Sequence, residues 1–385
     1  MHFSLINIIA LCFVVPTYII FFISKEPVIQ GLAYSLYWIP FFFYVYRNGL
    51  PKVSLNFIII WTLFLALWIF PSIFNYYSRT LESDLVKLPI LFFHVGTLTA
   101  IIITLKILFS SAKQNTLEEL FVKMCLVILP IAILIFLKSL YLFSTSDVRP
   151  HPFNIHPNVA TEISLVTLIL ATQLKQQLPR LLIYAMVLAT CYLCDSRGAL
   201  LSCIIILSIS FVLPKLLKIT AKKKLLWALV CLLPLLFFSQ EIYEILKELL
   251  LLNKRTANIA NRLDVWIFAL DSITQHPWSG IGFWVHPFGY SLPQGFFSHG
   301  PQYEIHNAFL RIATENGLGL LILILFIILL AIRQLLIGKN FTQLGITIGI
   351  LFFLFLATRH LTLNLLNILL YLILVTNLMR RKVVR

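Results

Sequence analysis

The chain has 385 residues, 60% of them hydrophobic and 12% charged, with a mean hydropathy of +0.93. A water-soluble domain has no interior large enough for that share of apolar surface, so a soluble globular fold is excluded and a polytopic membrane protein is implied. The formal charge of +15 raises nucleic acid as a partner, but the basic residues gather in short segments between apolar runs, which is the pattern of membrane topology.

A spanning helix needs roughly 20 largely apolar residues. Such runs lie near 4–23, 28–46, 55–75, 86–108, 120–143, 158–174, 180–194, 198–213, 224–240, 316–333, 341–357 and 361–379. They predict an all-α protein of about twelve transmembrane helices, a single integral membrane domain over 1–385. The first run, Leu5 to Ile23, has neither a basic flank nor a small-residue cleavage site and reads as a spanning helix rather than a cleaved signal peptide. Twelve spans put both termini on one side. The loops on that side carry seventeen Lys and Arg, among them "KITAKKK" at 218–224, against seven in the short loops of the other side. The positive-inside rule then makes the termini cytoplasmic and residues 241–305 one large outer loop.

Six cysteines (Cys12, Cys125, Cys191, Cys194, Cys203 and Cys231) fall inside apolar runs, so no disulfide framework is implied, and "CYLC" at 191–194 reads as one turn of a membrane helix. Glu162 and Lys123, in or near spans, would suit a secondary transporter. No matching pair of Gly/Pro-broken helices accompanies them. "GITIG" at 345–349 predicts close helix packing.

The outer side is chemically richer. "CDSRGALLS" at 194–202 sets Asp195 and Arg197 in a very short turn at the membrane edge, either as a mutual pair or with Arg197 turned to a ligand anion. In the large loop, "EIYEILKELLLL" at 241–252 predicts a helix lying on the membrane surface. "NRLDVWIFALDSITQ" at 261–275 predicts a helix with Leu263, Trp266, Ile267, Leu270 and Ile273 on one apolar face. Arg262 falls in its first turn, where a cation opposes the helix dipole; it meets either an anion or Asp264. "HPWSGIGFW" at 276–284 is a tight turn. Seven histidines lie on this side, but four are His-Pro pairs and none has metal-ligand spacing, so no metal site is expected. "EIHNAFLRIATENG" at 304–317 opens a helix with His306 and Asn307 and carries Arg311 and Glu315 at (i, i+4) spacing, which predicts an ion pair keeping the helix end soluble.

Taken together, "SRGALLS", "NRLDVWIFALDSITQHPWSGIGF", "HNAFLRIATENGLGLL" and "HPNVAT" at 156–161 resemble the O-antigen ligase and polymerase superfamily of bacterial envelope glycosyltransferases. The resemblance implies a GT-C-like membrane enzyme of the bacterial inner membrane, acting at the periplasmic face. Its donor would be polysaccharide on undecaprenyl diphosphate and, in the ligase branch, its acceptor a sugar hydroxyl of the lipid A core, with no metal or nucleotide cofactor. It assigns function to His306, followed after ten residues by Gly317, and to Arg197 and Arg262. Asn307 and Asp195 stand beside them as supporting residues. The polymerase branch commonly has arginine where this chain has His306, which favours a ligase over a polymerase or a protein O-oligosaccharyltransferase. The family stretch often reads Gly-Ser-Arg-Gly; here it is "DSRG", so Asp195 is a departure that can moderate Arg197.

The chemistry such an enzyme needs fits these residue types. A glycosyl diphosphate is already activated, so the protein must steady the charge of the leaving group and take a proton from the incoming hydroxyl. Arginine is permanently cationic and binds phosphate oxygens bidentately. It cannot accept the proton, whereas a histidine that titrates near neutrality can. Attack from the side opposite the diphosphate would invert the anomeric centre.

Overall fold

A chain that crosses lipid must satisfy its backbone polar groups within each segment, and helices do so residue by residue. The computed structural model describes residues 5–18, 35–49, 58–59, 61–67, 69, 96–97, 99–103, 116–145, 152–154, 157–218, 256–281, 305, 307–356, 370 and 373. All regular structure among them is helical. In chain order the elements are α1 (Leu5–Tyr18), α2 (Ile39–Asn48), α3 (Thr116–Thr145), α4 (Pro157–Ala171), α5 (Gln177–Leu193), α6 (Arg197–Leu207), α7 (Leu213–Lys218), α8 (Thr256–Gln275), α9 (Ala308–Asn316), α10 (Leu318–Ile337) and α11 (Phe341–Leu356). A π-helical turn at Ser208–Val212 joins α6 to α7. Three stretches are long and apolar enough to cross a membrane: Glu119–Thr145, Arg197–Leu217 and Leu318–Ile337. Shorter apolar helices occupy Leu36–Tyr46, Val159–Ala171, Gln177–Leu193 and Phe341–Phe355. The apolar run at 224–240, the surface helix expected at 241–252 and most of 361–379 lie outside the described residues.

The core is centred on α4, which packs against α3, α5 and α6. Leu165, Val166, Leu168, Ile169 and Leu170 are buried on successive sides of it, the all-round burial of a helix enclosed by others. Its buried hydroxyls turn back on their own helix: Ser164 Oγ donates to Ala160 O at 3.1 Å and Thr167 Oγ1 to Ile163 O at 2.9 Å. Lys123, within the spanning stretch Glu119–Thr145, pairs with Glu119 one turn earlier at 2.6 Å in a partly exposed ion pair. That pairing gives it a local partner. The described cysteines are buried thiols, with Cys191 closing the last turn of α5 as a membrane-helix residue.

Two helices fix the frame on which the polar segments sit. α11 lies along α6 and its π-helical turn, and the expected close packing through "GITIG" is what joins them. A methyl group on Gly345 would stand 2.9 Å from Ile206 O and 2.6 Å from Ser210 Oγ, and one on Gly349 would run into the Ile206 side chain. The absence of side chains at both positions lets the backbones approach.

Candidate functional site

The polar stretches that follow the long loop build one block in which α8, the turn after it and α9 hold each other. α8 starts at Thr256, five residues before the expected helix. Arg262 therefore sits in the second turn rather than the first, and the dipole argument loses its ground because that effect fades after the first turn. The side chain of Arg262 lies outside the described residues. The buried face also differs from the expected stripe. Val265, Ala269, Ser272 and Ile273 are buried, whereas Ile267 is 64% and Leu270 54% exposed. Val265 and Ala269 cluster with Ile305, flanked by Trp266 and Leu310. Small residues at the contact let α8 approach α9 closely, and that closeness turns the larger side chains outward.

Trp266 contributes something that counting it as an apolar residue missed. Its ring lies 6.2 Å from that of Phe355 on α11, and its Nε1 is buried with no hydrogen-bond partner among the described residues. Arg262 stands one helical turn before it in the sequence of α8.

The turn after α8 docks on the far end of α9. Gly280 N–H donates to His276 O at 3.0 Å, Ile281 N–H to Thr314 O at 2.8 Å, and Leu318 N–H to Pro277 O at 2.7 Å. The second of these satisfies a carbonyl that the end of a helix leaves without an intrahelical partner. Gly280 (φ +59) and Gly317 (φ +82) are interlocked at this crossing. A side chain on Gly280 would meet the backbone of Glu315 and Asn316, and one on Gly317 the carbonyls of Pro277 and Trp278. "GIG" is thus a tight turn, as expected, and its function is to seat the end of α9.

At the other end of α9, Asn307 is the N-cap: its Oδ1 accepts from Phe309 N at 3.1 Å and Leu310 N at 3.0 Å. His306 lies outside the described residues, between Ile305 and Asn307, which are both buried. Replacing Asn307 with alanine is expected to cost about 1 kcal/mol, the usual worth of a helix cap, while serine retains most of it. Thermal unfolding of the purified protein checks this; a serine variant as unstable as the alanine variant would show that capping is not the reason.

Arg311 and Glu315 form the expected pair, Nε to Oε1 at 2.6 Å, but it is not a solubilising surface pair. Both residues are buried, at 7% and 5% exposure, so the pair is part of the interior of the block.

The second predicted element, the turn between α5 and α6, has a defined geometry. Asp195 N–H donates to Tyr192 O at 2.9 Å and Ser196 N–H to Cys191 O at 3.0 Å, which closes α5. Asp195 adopts φ +48, a conformation glycine takes freely and aspartate tolerates. This is the backbone reason that glycine suits this position. Arg197 is the first residue of α6, with Nε 3.8 Å from Asp195 Oδ1. The structure joins this turn to the α8–α9 block through shared packing. α11 contacts both α6 and α9, and Ala308 and Ile312 belong to the same buried cluster as Ala199 and Cys203.

Residues 181–325 match the protein-family model described as O-antigen ligase. The match spans α5 to the first turns of α10 and contains Asp195, Arg197, Arg262, His306, Asn307 and Gly317. No curated protein matches the chain.

Proposed function

We propose, from the match of residues 181–325 to the family model described as O-antigen ligase, that the protein is an O-antigen ligase. In this reading it transfers polysaccharide from undecaprenyl diphosphate to a sugar hydroxyl of the lipid A core. The reaction takes place at the periplasmic face of the inner membrane, in a chain of about twelve spans with both termini cytoplasmic and the 241–305 loop outside. The observation that carries the proposal is the family match falling on the two polar turns and the α8–α9 block, the part of the chain whose architecture is not explained by crossing a membrane.

The roles follow from residue chemistry. Arg197 and Arg262 bind the diphosphate oxygens and offset the negative charge that grows on them as the bond to the anomeric carbon breaks. His306 takes the proton of the acceptor hydroxyl as its oxygen bonds to that carbon. Undecaprenyl diphosphate departs with the electron pair of the broken bond, and the anomeric centre inverts. Asn307, through its cap, sets where α9 begins and hence where the histidine is presented. The interlocked glycines hold that helix against α8.

His306→Ala is expected to lower transfer by about 10² to 10⁴, the range for loss of a general base. In a deletion strain carrying this variant, a gel should show lipopolysaccharide without its polymer cap while lipid-linked polymer accumulates. If lipid-linked polymer itself disappeared, the protein would be a polymerase. If glycoprotein disappeared while capped lipopolysaccharide persisted, it would be a protein O-oligosaccharyltransferase.

A further inference from the structure

We propose that Asp195 is an internal counter-ion that competes with the diphosphate for Arg197 and so releases the spent lipid diphosphate after transfer. The inference rests on the reading of Arg197 as a diphosphate ligand. It starts from the geometry of the turn. Two backbone hydrogen bonds, at 2.9 and 3.0 Å, fix the peptide units on either side of Asp195, so its side chain projects from a rigid base. Its carboxylate stands 3.8 Å from Arg197 Nε. That is well beyond the roughly 2.7–2.9 Å of a charge-assisted hydrogen bond. The two groups therefore attract each other without committing the donors of the guanidinium, and no described residue accepts a hydrogen bond from Arg197. Both side chains are about a third exposed, 28% for Arg197 and 31% for Asp195, so an incoming anion can reach the pair.

A second feature raises the need for such a counter-ion. Arg197 is the first residue of α6, so its charge adds to the positive end of the helix dipole. Ser196, the residue before it, offers no side-chain cap to those amides. An anion is strongly favoured at such a point, and the product satisfies it better than the substrate does. The donor carries a diphosphate esterified at both ends; once the glycosyl bond breaks, the lipid diphosphate has gained a negative charge. The interactions that stabilise the leaving group in the transition state therefore also retain it afterwards, and product departure limits turnover in many enzymes. A carboxylate fixed beside Arg197 opposes that retention, most strongly for the more highly charged product. It returns to the arginine as the diphosphate leaves.

The backbone conformation makes the idea testable without disturbing the fold. At φ +48 glycine is unstrained and asparagine is tolerated, so Asp195→Gly and Asp195→Asn remove the charge with the turn intact. The full-length protein in nanodiscs would be assayed for inhibition of transfer by added undecaprenyl diphosphate. Both variants are expected to bind it about tenfold more tightly, the scale of one unit charge at this separation after solvent screening. Steady-state kcat should fall several-fold while the first turnover keeps its rate. A merely structural role for Asp195 predicts the opposite sign, weaker binding in both variants. Unchanged or weaker product inhibition overturns the proposal. Arg197→Gln separates the two levels of inference. If it weakens undecaprenyl diphosphate binding while the Asp195 variants change nothing, only the counter-ion idea fails. If it leaves that binding untouched, the diphosphate role of Arg197 fails as well.

Discussion

Gly317→Ala is expected to destabilise the protein by about 4 kcal/mol, by combining a forbidden backbone conformation with a collision between main chains. Gly317 has φ +82 and ψ 171, which only glycine occupies without strain. A methyl group there points at the carbonyl of Trp278, an atom held in place because the neighbouring Pro277 carbonyl accepts from Leu318 N–H at 2.7 Å. Neither partner is the loose end of a side chain, so relief requires separating the turn after α8 from the junction of α9 and α10. Gly49 is the built-in control. It has nearly the same conformation, φ 74 and ψ −175, with nothing within 4 Å of an added methyl. Gly49→Ala therefore carries the conformational strain alone, about 1–3 kcal/mol, and the difference between the two variants measures the collision. Thermal unfolding of the purified proteins decides the matter. Equal midpoints for the two variants would mean that the crossing is not packed as described. Because α9 begins at Asn307 and ends at Gly317, displacing its end also moves its start, so the variant should lose transfer activity together with stability.

Removing one member of the Arg311–Glu315 pair is expected to cost about 3–5 kcal/mol, since the survivor is a buried charge that has lost its counter-charge. Glu315→Ala and Arg311→Ala should both show it as a lowered midpoint of thermal unfolding. The double variant Arg311→Met, Glu315→Leu, which fills similar volume without charge, is expected to recover most of the loss, because well-packed apolar residues often replace a buried pair at little cost. A surface pair would behave otherwise, with each single change costing well under about 1 kcal/mol. Single variants that melt with the parent protein would return the pair to the solubilising role its spacing suggested. A double variant no better than the singles would show that the charges serve other partners in the block. Glu315 also presents its main-chain carbonyl to Gly280, so the pair and the glycine crossing secure the same end of α9.

The sequence of α8 announces only part of its structure. Its helical character was legible from the periodic apolar residues. Its start at Thr256 was not, since "TANIA" has no strong capping signal and is ended upstream by no proline or glycine. Its buried face was misjudged because the larger apolar side chains Ile267 and Leu270 were weighed above Val265 and Ala269, whereas contact with α9 favours the smaller side chains. The two glycines of the crossing were visible as turn formers. That each makes room for the backbone next to the other could not be read from the sequence, because their partners lie more than thirty residues apart. Lys123 illustrates the reverse case. Its partner Glu119 stands one helical turn away, at a spacing that a local rule covers, although Lys123 was read only as a residue in or near a span.

What the sequence by itself determined is what depends on composition and short-range spacing: a helical membrane protein, an (i, i+4) ion pair at Arg311 and Glu315, a close helix contact through Gly345 and Gly349, and the polar segments within 181–325 that match the family model described as O-antigen ligase. Only the tertiary structure decided that the ion pair is buried, that α8 turns Val265 and Ala269 toward α9, and that Gly280 and Gly317 lock the two polar stretches together. The reason is physical. Burial and backbone approach are properties of two segments at once, and the energy that selects between them is realised only when distant parts of the chain meet.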